Sequence, residues 1–158
     1  MHDVNGKALH LGDTIHSYAY GSLIIKEIKE EHNPDKGGAL IECIGVARGG
    51  GSIEVRTHEG KVTKVRTWKE LAEEAVMVQD ASNLVAVIGS FARTVQEVRY
   101  RLESEGKHGS TDVWQHPVCV LYSNKISSLT SSDSVTLFGN ALKWAYEQAP
   151  QLDPNKKS

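Results

Sequence analysis

The chain has 158 residues, of which 39% are apolar and 24% charged, a balance typical of a soluble globular protein. Its 18 Lys and Arg and 20 Asp and Glu leave a formal net charge of −2, which excludes a uniformly basic nucleic-acid binder. It holds no apolar run of the ~18 residues that a membrane helix needs and no signal-peptide pattern at its start, so we expect a cytoplasmic protein with no membrane partner.

The first half of the chain is predicted to be β-structure, because its apolar residues alternate with polar ones. Turn signals rich in Gly, Pro, Asn and Asp separate the alternating runs. Strands of this length and spacing favour a small antiparallel barrel or a strongly bent sheet. The predicted strands are residues 14–20, 23–29, 39–46, 53–56 and 62–66.

The end of this half carries two finer predictions. The runs at 53–56 and 62–66 flank a short turn that contains Glu59 and Gly60, which predicts a β-hairpin. Residues 68–75 are long enough for one or two helical turns, and the apolar residues 75–78 predict a closing strand.

After about residue 80 the apolar period changes from 2 to 3.6 and predicts about three α-helices. The first spans Leu84 to Leu102, with Ser82 or Asn83 as its cap and Gly106 as the left-handed residue after its end. A second begins near Pro117, entered through His116, and a third begins near Asp133.

These patterns predict an α+β protein, a small antiparallel barrel or bent sheet followed by the helices. The predicted division is a barrel-like subdomain at 1–80, a helical subdomain at 81–150 and a disordered polar tail at 151–158.

Basic residues and glycines mark the first candidate binding surface. Arg48, Gly49 and Gly50 belong to the glycine-rich stretch 47–52, which is either a flexible hairpin loop or a backbone cradle for an anion. Arg56, Lys64 and Arg66 share the parity of one strand face. On the predicted hairpin they form either a basic face for phosphates or a solvated outer face.

Other residue types point away from catalysis. The seven histidines and the two cysteines, Cys43 and Cys119, match no metal-binding spacing, and we expect reduced, buried thiols and no cofactor. Arg93, Glu97, Arg101 and Glu105 recur at i, i+4 and predict surface ion pairs. The sequence contains no nucleophile-elbow motif, so we expect a protein that is not an enzyme. The alternative is a small hydrolase, which would require distant His and acidic side chains to converge in one site.

Aromatic residues on the predicted helices give a second candidate surface. Tyr100 and Trp144 lie on or beside the apolar stripes and are candidates for an exposed face that contacts a partner or a second copy of the chain.

Residues 110–130 resemble a segment of small phage and prophage proteins. The shared pattern is Thr111-Asp112, then His116-Pro117, Lys125-Ile126 and Leu129-Thr130, followed by a short helix. The stretch from Asn5-Gly6-Lys7 to residue 78 also resembles the SH3-like barrels of phage accessory proteins. The resemblance implies a phage or prophage origin and assigns no chemistry to any residue.

Two function hypotheses follow. In the first, the protein is a non-catalytic accessory protein that binds and modulates a host protein, such as a defence component, and forms a homo-oligomer. In the second, it binds nucleic acid or sequesters a nucleotide signal through the basic hairpin, and its affinity falls steeply with salt.

Overall fold

The computed structural model describes residues 1–29, 38–46, 51–107, 110–130 and 135–155, with only the backbone at 110–112 and 135. It confirms the α+β class: an antiparallel sheet of five strands is followed by five α-helices within the described residues. The strands are β1 (Thr14–Ser17), β2 (Gly21–Lys29), β3 (Leu40–Val46), β4 (Ser52–His58) and β5 (Val62–Lys64).

The strand order is β4-β3-β2-β1-β5, so β4 and β5 form the two edges of an open sheet. The predicted hairpin between them is therefore wrong, and the described strands do not close into a barrel. A short 3₁₀ helix, Glu59–Lys61, replaces the tight turn and sends the chain to β1, whose Ser17 pairs with Val62. The Glu59 carboxylate accepts hydrogen bonds from the backbone N–H groups of Ala39 and His2, each at 3.2 Å, and this fixes the turn.

One face of the sheet supplies the core of the β-unit. Its alternating apolar positions are buried, as the period of 2 predicts. The register shifts at a bulge between Ile25 and Glu27 in β2, which keeps Ile28 opposite the buried Ile41. The core cluster consists of Leu9, Ile15, Leu23, Ile25, Ile41, Cys43 and Val62.

The amino-terminal segment is held to β5 by a buried carboxylate. Asp3 Oδ1 accepts the backbone N–H groups of Asn5 and Lys7 at 2.9 and 2.8 Å, and Oδ2 accepts that of Lys64 at 2.7 Å. Burial alone would raise the pKa of Asp3, but these three donors outweigh it and lower the pKa below its usual range.

The helices are α1 (Trp68–Met77), α2 (Leu84–Ser104), α3 (Ser110–Gln115), α4 (Pro117–Thr130) and α5 (Val135–Gln148). Residues 75–77 lie in α1 and Val78 follows in a 3₁₀ turn, so the predicted closing strand is wrong. Thr67 and Glu70 form a capping box that starts α1. In the part of the chain that the structure describes, four α-helices rather than about three follow residue 80, because α3 precedes the helix that Pro117 begins.

The helix ends follow their predicted residues. Asn83 Oδ1 accepts the N–H of Ala86, and Gly106 adopts φ +83° while the N–H of Lys107 bonds to the Leu102 carbonyl at 2.9 Å. His116 Nδ1 accepts the N–H of Val118 at 3.2 Å, which makes His116 the cap of α4. The predicted start of the last helix, near Asp133, lies outside the described residues.

By its internal contacts the chain forms two compact units. The β-unit comprises residues 1–65 and 100–108, and the helical unit comprises residues 66–99 and 109–158. The last turn of α2 thus belongs to the β-unit and the rest of α2 to the helical unit. At the end of the helical unit, Pro150–Leu152 form a 3₁₀ helix, and Gln151 donates a hydrogen bond to Glu73 at 2.7 Å.

Candidate binding surface

The predicted basic face depended on the hairpin between β4 and β5, which does not form. Arg56 lies on β4, where its Nε is 3.3 Å from Glu42 Oε1. Lys64 lies on β5 at the other edge of the sheet, with its Nζ 3.4 Å from Asp13 Oδ2 and 3.3 Å from the Ala8 carbonyl. Each cation therefore faces a carboxylate.

Arg66 belongs to an ion-pair network of the helical unit. Its Nε and Nη2 lie 2.8 and 2.6 Å from Glu97 Oε2, and it also pairs with Glu74. Glu74 in turn accepts Arg93 at 2.8 Å. Two acids of α1 and α2 thus hold Arg66 in the fold. Of the remaining predicted residues, Arg48, Gly49 and Gly50 lie outside the described part of the chain.

The two predicted aromatic residues pack within their units. The Tyr100 ring stacks on His16 with centroids 3.8 Å apart. Trp144 packs edge-on against Trp68 at 5.9 Å and against His116 at 4.8 Å, and Trp68 and His116 stack on each other. Both rings are half-buried, so these contacts cover only part of each ring.

Tyr20 marks the concave surface of the β-unit. It lies in the turn after β1, 58% exposed, although the sequence placed it inside a strand. Two grooves of about 570 and 220 Å³ meet at Tyr20, and both are also lined by Ile53 and Val55. We call this surface the Tyr20 groove. Its other lining residues are Gly21, Ser22, Leu23, Lys26, Glu42, Cys43, Gly45, Val46, Glu54, Arg56 and Glu103.

The groove combines an apolar floor with a charged rim. Gly45 pairs with Leu23 on one side and Ile53 on the other, and a Cβ at this position would lie 3.1 Å from Leu23 Cδ2. The absence of a side chain at Gly45 therefore lets the Leu23 side chain pack closely against this strand at the floor. At the rim, Lys26 Nζ lies 3.4 Å from Glu54 Oε1, beside the Arg56–Glu42 pair. The rim thus carries both signs of charge.

The cysteine in the wall of the groove, Cys43, is a buried thiol. Burial raises the pKa of the Cys43 thiol to about 11, so the thiol stays protonated at neutral pH. Cys119 in the helical unit is also buried, and its pKa is raised to about 12. Among the described residues, no three His, Cys, Asp or Glu side chains converge as a metal site.

Comparisons with protein-family models, curated proteins and solved structures found no match for this chain. None of the helices in the described ranges is long and apolar enough to cross a membrane. Sequence reasoning missed the Tyr20 groove, and the tyrosines at 18 and 20 beside the turn glycine Gly21 were the signal for it.

Proposed function

We propose that this protein is a non-catalytic binding protein that holds a protein partner in the Tyr20 groove. The observation that carries the proposal is the position of Tyr20, a half-exposed aromatic at the junction of both grooves. Protein contact surfaces typically place an aromatic anchor in an apolar depression with a polar rim. Here Tyr20 and Ile53 supply the anchors, and the paired charges of β2, β3 and β4 supply the rim.

The charge pattern favours a protein over a nucleic acid. Binding to nucleic-acid phosphates uses cationic side chains that displace the counterions condensed on the phosphate backbone. Arg56 and Lys64 each face a carboxylate, and Arg66 is held by two. A mixed rim instead suits a polypeptide segment with an apolar side chain between charges of both signs. Binding of a nucleic acid or nucleotide therefore gains no support from the described residues.

The strand order supports the SH3-like arrangement suggested by the sequence. Four Cα steps from His58 to Val62 cover at most ~15 Å, whereas a flat sheet of five strands is ~19 Å wide. The sheet therefore has to bend to bring β4 and β5 within reach of one short turn. The host protein as partner, and the phage or prophage setting, come from the resemblance of residues 110–130 and remain part of this proposal.

The test compares two tyrosines of one turn. Tyr20 lines the groove, whereas Tyr18 is fully exposed and lines neither part of it. We expect Tyr20→Ala to lose a protein that the wild type captures from bacterial lysate and Tyr18→Ala to keep it. With the purified partner, Tyr20→Ala should weaken binding about 30-fold or more, since anchor residues contribute ~2 kcal/mol or more.

Equal affinity of the two variants for the purified partner would overturn the groove as the binding surface. Capture of nucleic acid in place of protein, with an affinity that falls steeply with salt, would favour the second hypothesis.

A further inference from the structure

The outer edge of β4 pairs with no other strand in the described ranges. β4 pairs with β3 on one side, and no backbone hydrogen bond from the described residues reaches its other side. The side chains of Glu54 and Arg56 on this strand are 83% and 72% exposed. An exposed edge of this kind is a template for another strand.

The register identifies the backbone groups that point outward. The N–H of Glu59 donates to the Ala39 carbonyl at 3.0 Å, and this pair continues the register of β3 and β4. Because hydrogen-bonded pairs alternate along an antiparallel ladder, Ile53, Val55 and Thr57 direct their N–H and C=O groups to β3. The even-numbered residues of 52–58 direct theirs to the free edge.

We propose that the occupant of this edge is the β4 strand of a second copy of the chain, paired antiparallel about a two-fold axis at Val55. This register joins all seven residues of both strands and matches their outward backbone groups. It sets Glu54 of each copy opposite Arg56 of the other, giving two attractive cross-strand pairs.

The neighbouring registers are disfavoured by charge. Two neighbouring registers also match the outward backbone groups. One sets Glu54 of each copy opposite Glu54 of the other, and the second sets Arg56 opposite Arg56. Like charges directly opposite each other destabilise a strand pair. The sequence of β4 is thus self-complementary in one register, and a seven-residue ladder predicts a weak, concentration-dependent dimer.

The decisive test uses charge complementation. Glu54→Arg alone and Arg56→Glu alone should each raise the dimer dissociation constant about tenfold or more, because both cross-strand pairs become repulsive. An equimolar mixture of the two variants restores both attractive pairs and should form a heterodimer. Sedimentation equilibrium up to about 1 mM protein measures each case. Exposed Glu147 and Lys143 on α5 give matched charge controls, Glu147→Arg and Lys143→Glu, which should dimerise as the wild type does.

A disulfide readout tests the register without changing charge. Two-fold pairing places the Cα atoms of the two Val55 residues ~4.5 Å apart, within disulfide range, whereas the two Ile53 residues are ~13 Å apart. With oxidised glutathione, Val55→Cys should therefore form a cross-linked dimer at least about tenfold faster than Ile53→Cys. The native thiols do not interfere, since both are buried.

A monomeric wild type at about 1 mM, or a dimer unchanged by Glu54→Arg, would overturn the proposal. Equal cross-linking of the two cysteine variants would overturn the register. Thermal unfolding of each variant separates loss of pairing from loss of folding. Four β4 residues, Ile53, Glu54, Val55 and Arg56, also line the Tyr20 groove. The Tyr20→Ala comparison changes no residue of β4, so it distinguishes failure of the groove from failure of the strand pairing.

Discussion

His16 has an environment that makes the stability of the fold depend on pH near neutrality. It lies on β1 between Ser22 and Thr63 of the adjacent strands, and its ring stacks on Tyr100. Burial lowers the pKa of His16 below its usual range, and the opposing effect of the Glu103 charge is smaller. The folded chain therefore keeps this imidazole neutral under conditions in which the unfolded chain protonates it.

The first prediction concerns this histidine. As the pH falls below about 6.5, the unfolded chain binds a proton at residue 16 that the folded chain resists, so the free energy of unfolding decreases. We expect His16→Phe, which preserves a stacking ring without titrating, to flatten that decrease between about pH 7.5 and 5.5. Urea unfolding at several pH values measures it, and the exposed His2→Gln serves as the control. An unchanged pH profile in His16→Phe would contradict the assignment.

Among elements, α1 shows how a local signal and a tertiary network act on one segment. The capping box of Thr67 and Glu70 starts the helix, and Leu71, Ala72 and Ala75 bury one side of it. The helix also makes polar contacts, since Glu74 accepts hydrogen bonds from Ser90 at 3.0 Å and from Arg93 at 2.8 Å. Ser90 in turn lies 2.7 Å from the hydroxyl of the buried Tyr122. The network therefore links α1, α2 and α4.

The second prediction concerns the centre of that network. The side chains of Arg66 and Glu97 are 12% and 13% exposed. Arg66→Met therefore leaves the nearly buried carboxylate of Glu97 without its paired cation. We expect a loss of about 3 kcal/mol in the free energy of unfolding. The double variant Arg66→Met/Glu97→Met should lose less than the single one, because no uncompensated charge remains. Urea unfolding followed by circular dichroism measures both, and a double variant less stable than the single one would contradict this account.

For the whole molecule, the two thiols report on the two units. Cys43 is buried in the β-unit and Cys119 in the helical unit. One helix, α2, supplies buried residues to both: Val87, Val95 and Val98 to the helical unit, and Leu102 to the β-unit. Loss of order along α2 therefore removes core residues from each unit.

The third prediction is that the two units unfold in one transition. Single-thiol variants, Cys43→Ser and Cys119→Ser, report on one unit each through labelling of the remaining cysteine. We expect neither thiol to react in native buffer, because only the exposed thiolate is nucleophilic. Both should become reactive over the same range of urea concentration. Two separated labelling transitions would show that α2 does not couple the units.

Local patterns in the sequence determined the elements. Alternation in the first half predicted five strands close to their observed positions, and the period of 3.6 predicted α2, α4 and α5. The helix caps could also be predicted from the sequence, because Asn83, Gly106 and His116 act on groups within a few residues of themselves. Such signals are read correctly because both partners lie in the same stretch of chain.

Only the tertiary structure decided which elements meet. A tight turn between β4 and β5 and a 3₁₀ link between these two edge strands suit nearly the same local residues. The 3₁₀ link is held by distant contacts of Glu59 with Ala39 and His2. The same is true of Arg66, which the sequence placed on a basic face and the fold paired with Glu97. The Tyr20 groove likewise needs Ile53 beside Tyr20, a juxtaposition set by long-range strand pairing and not by local pattern.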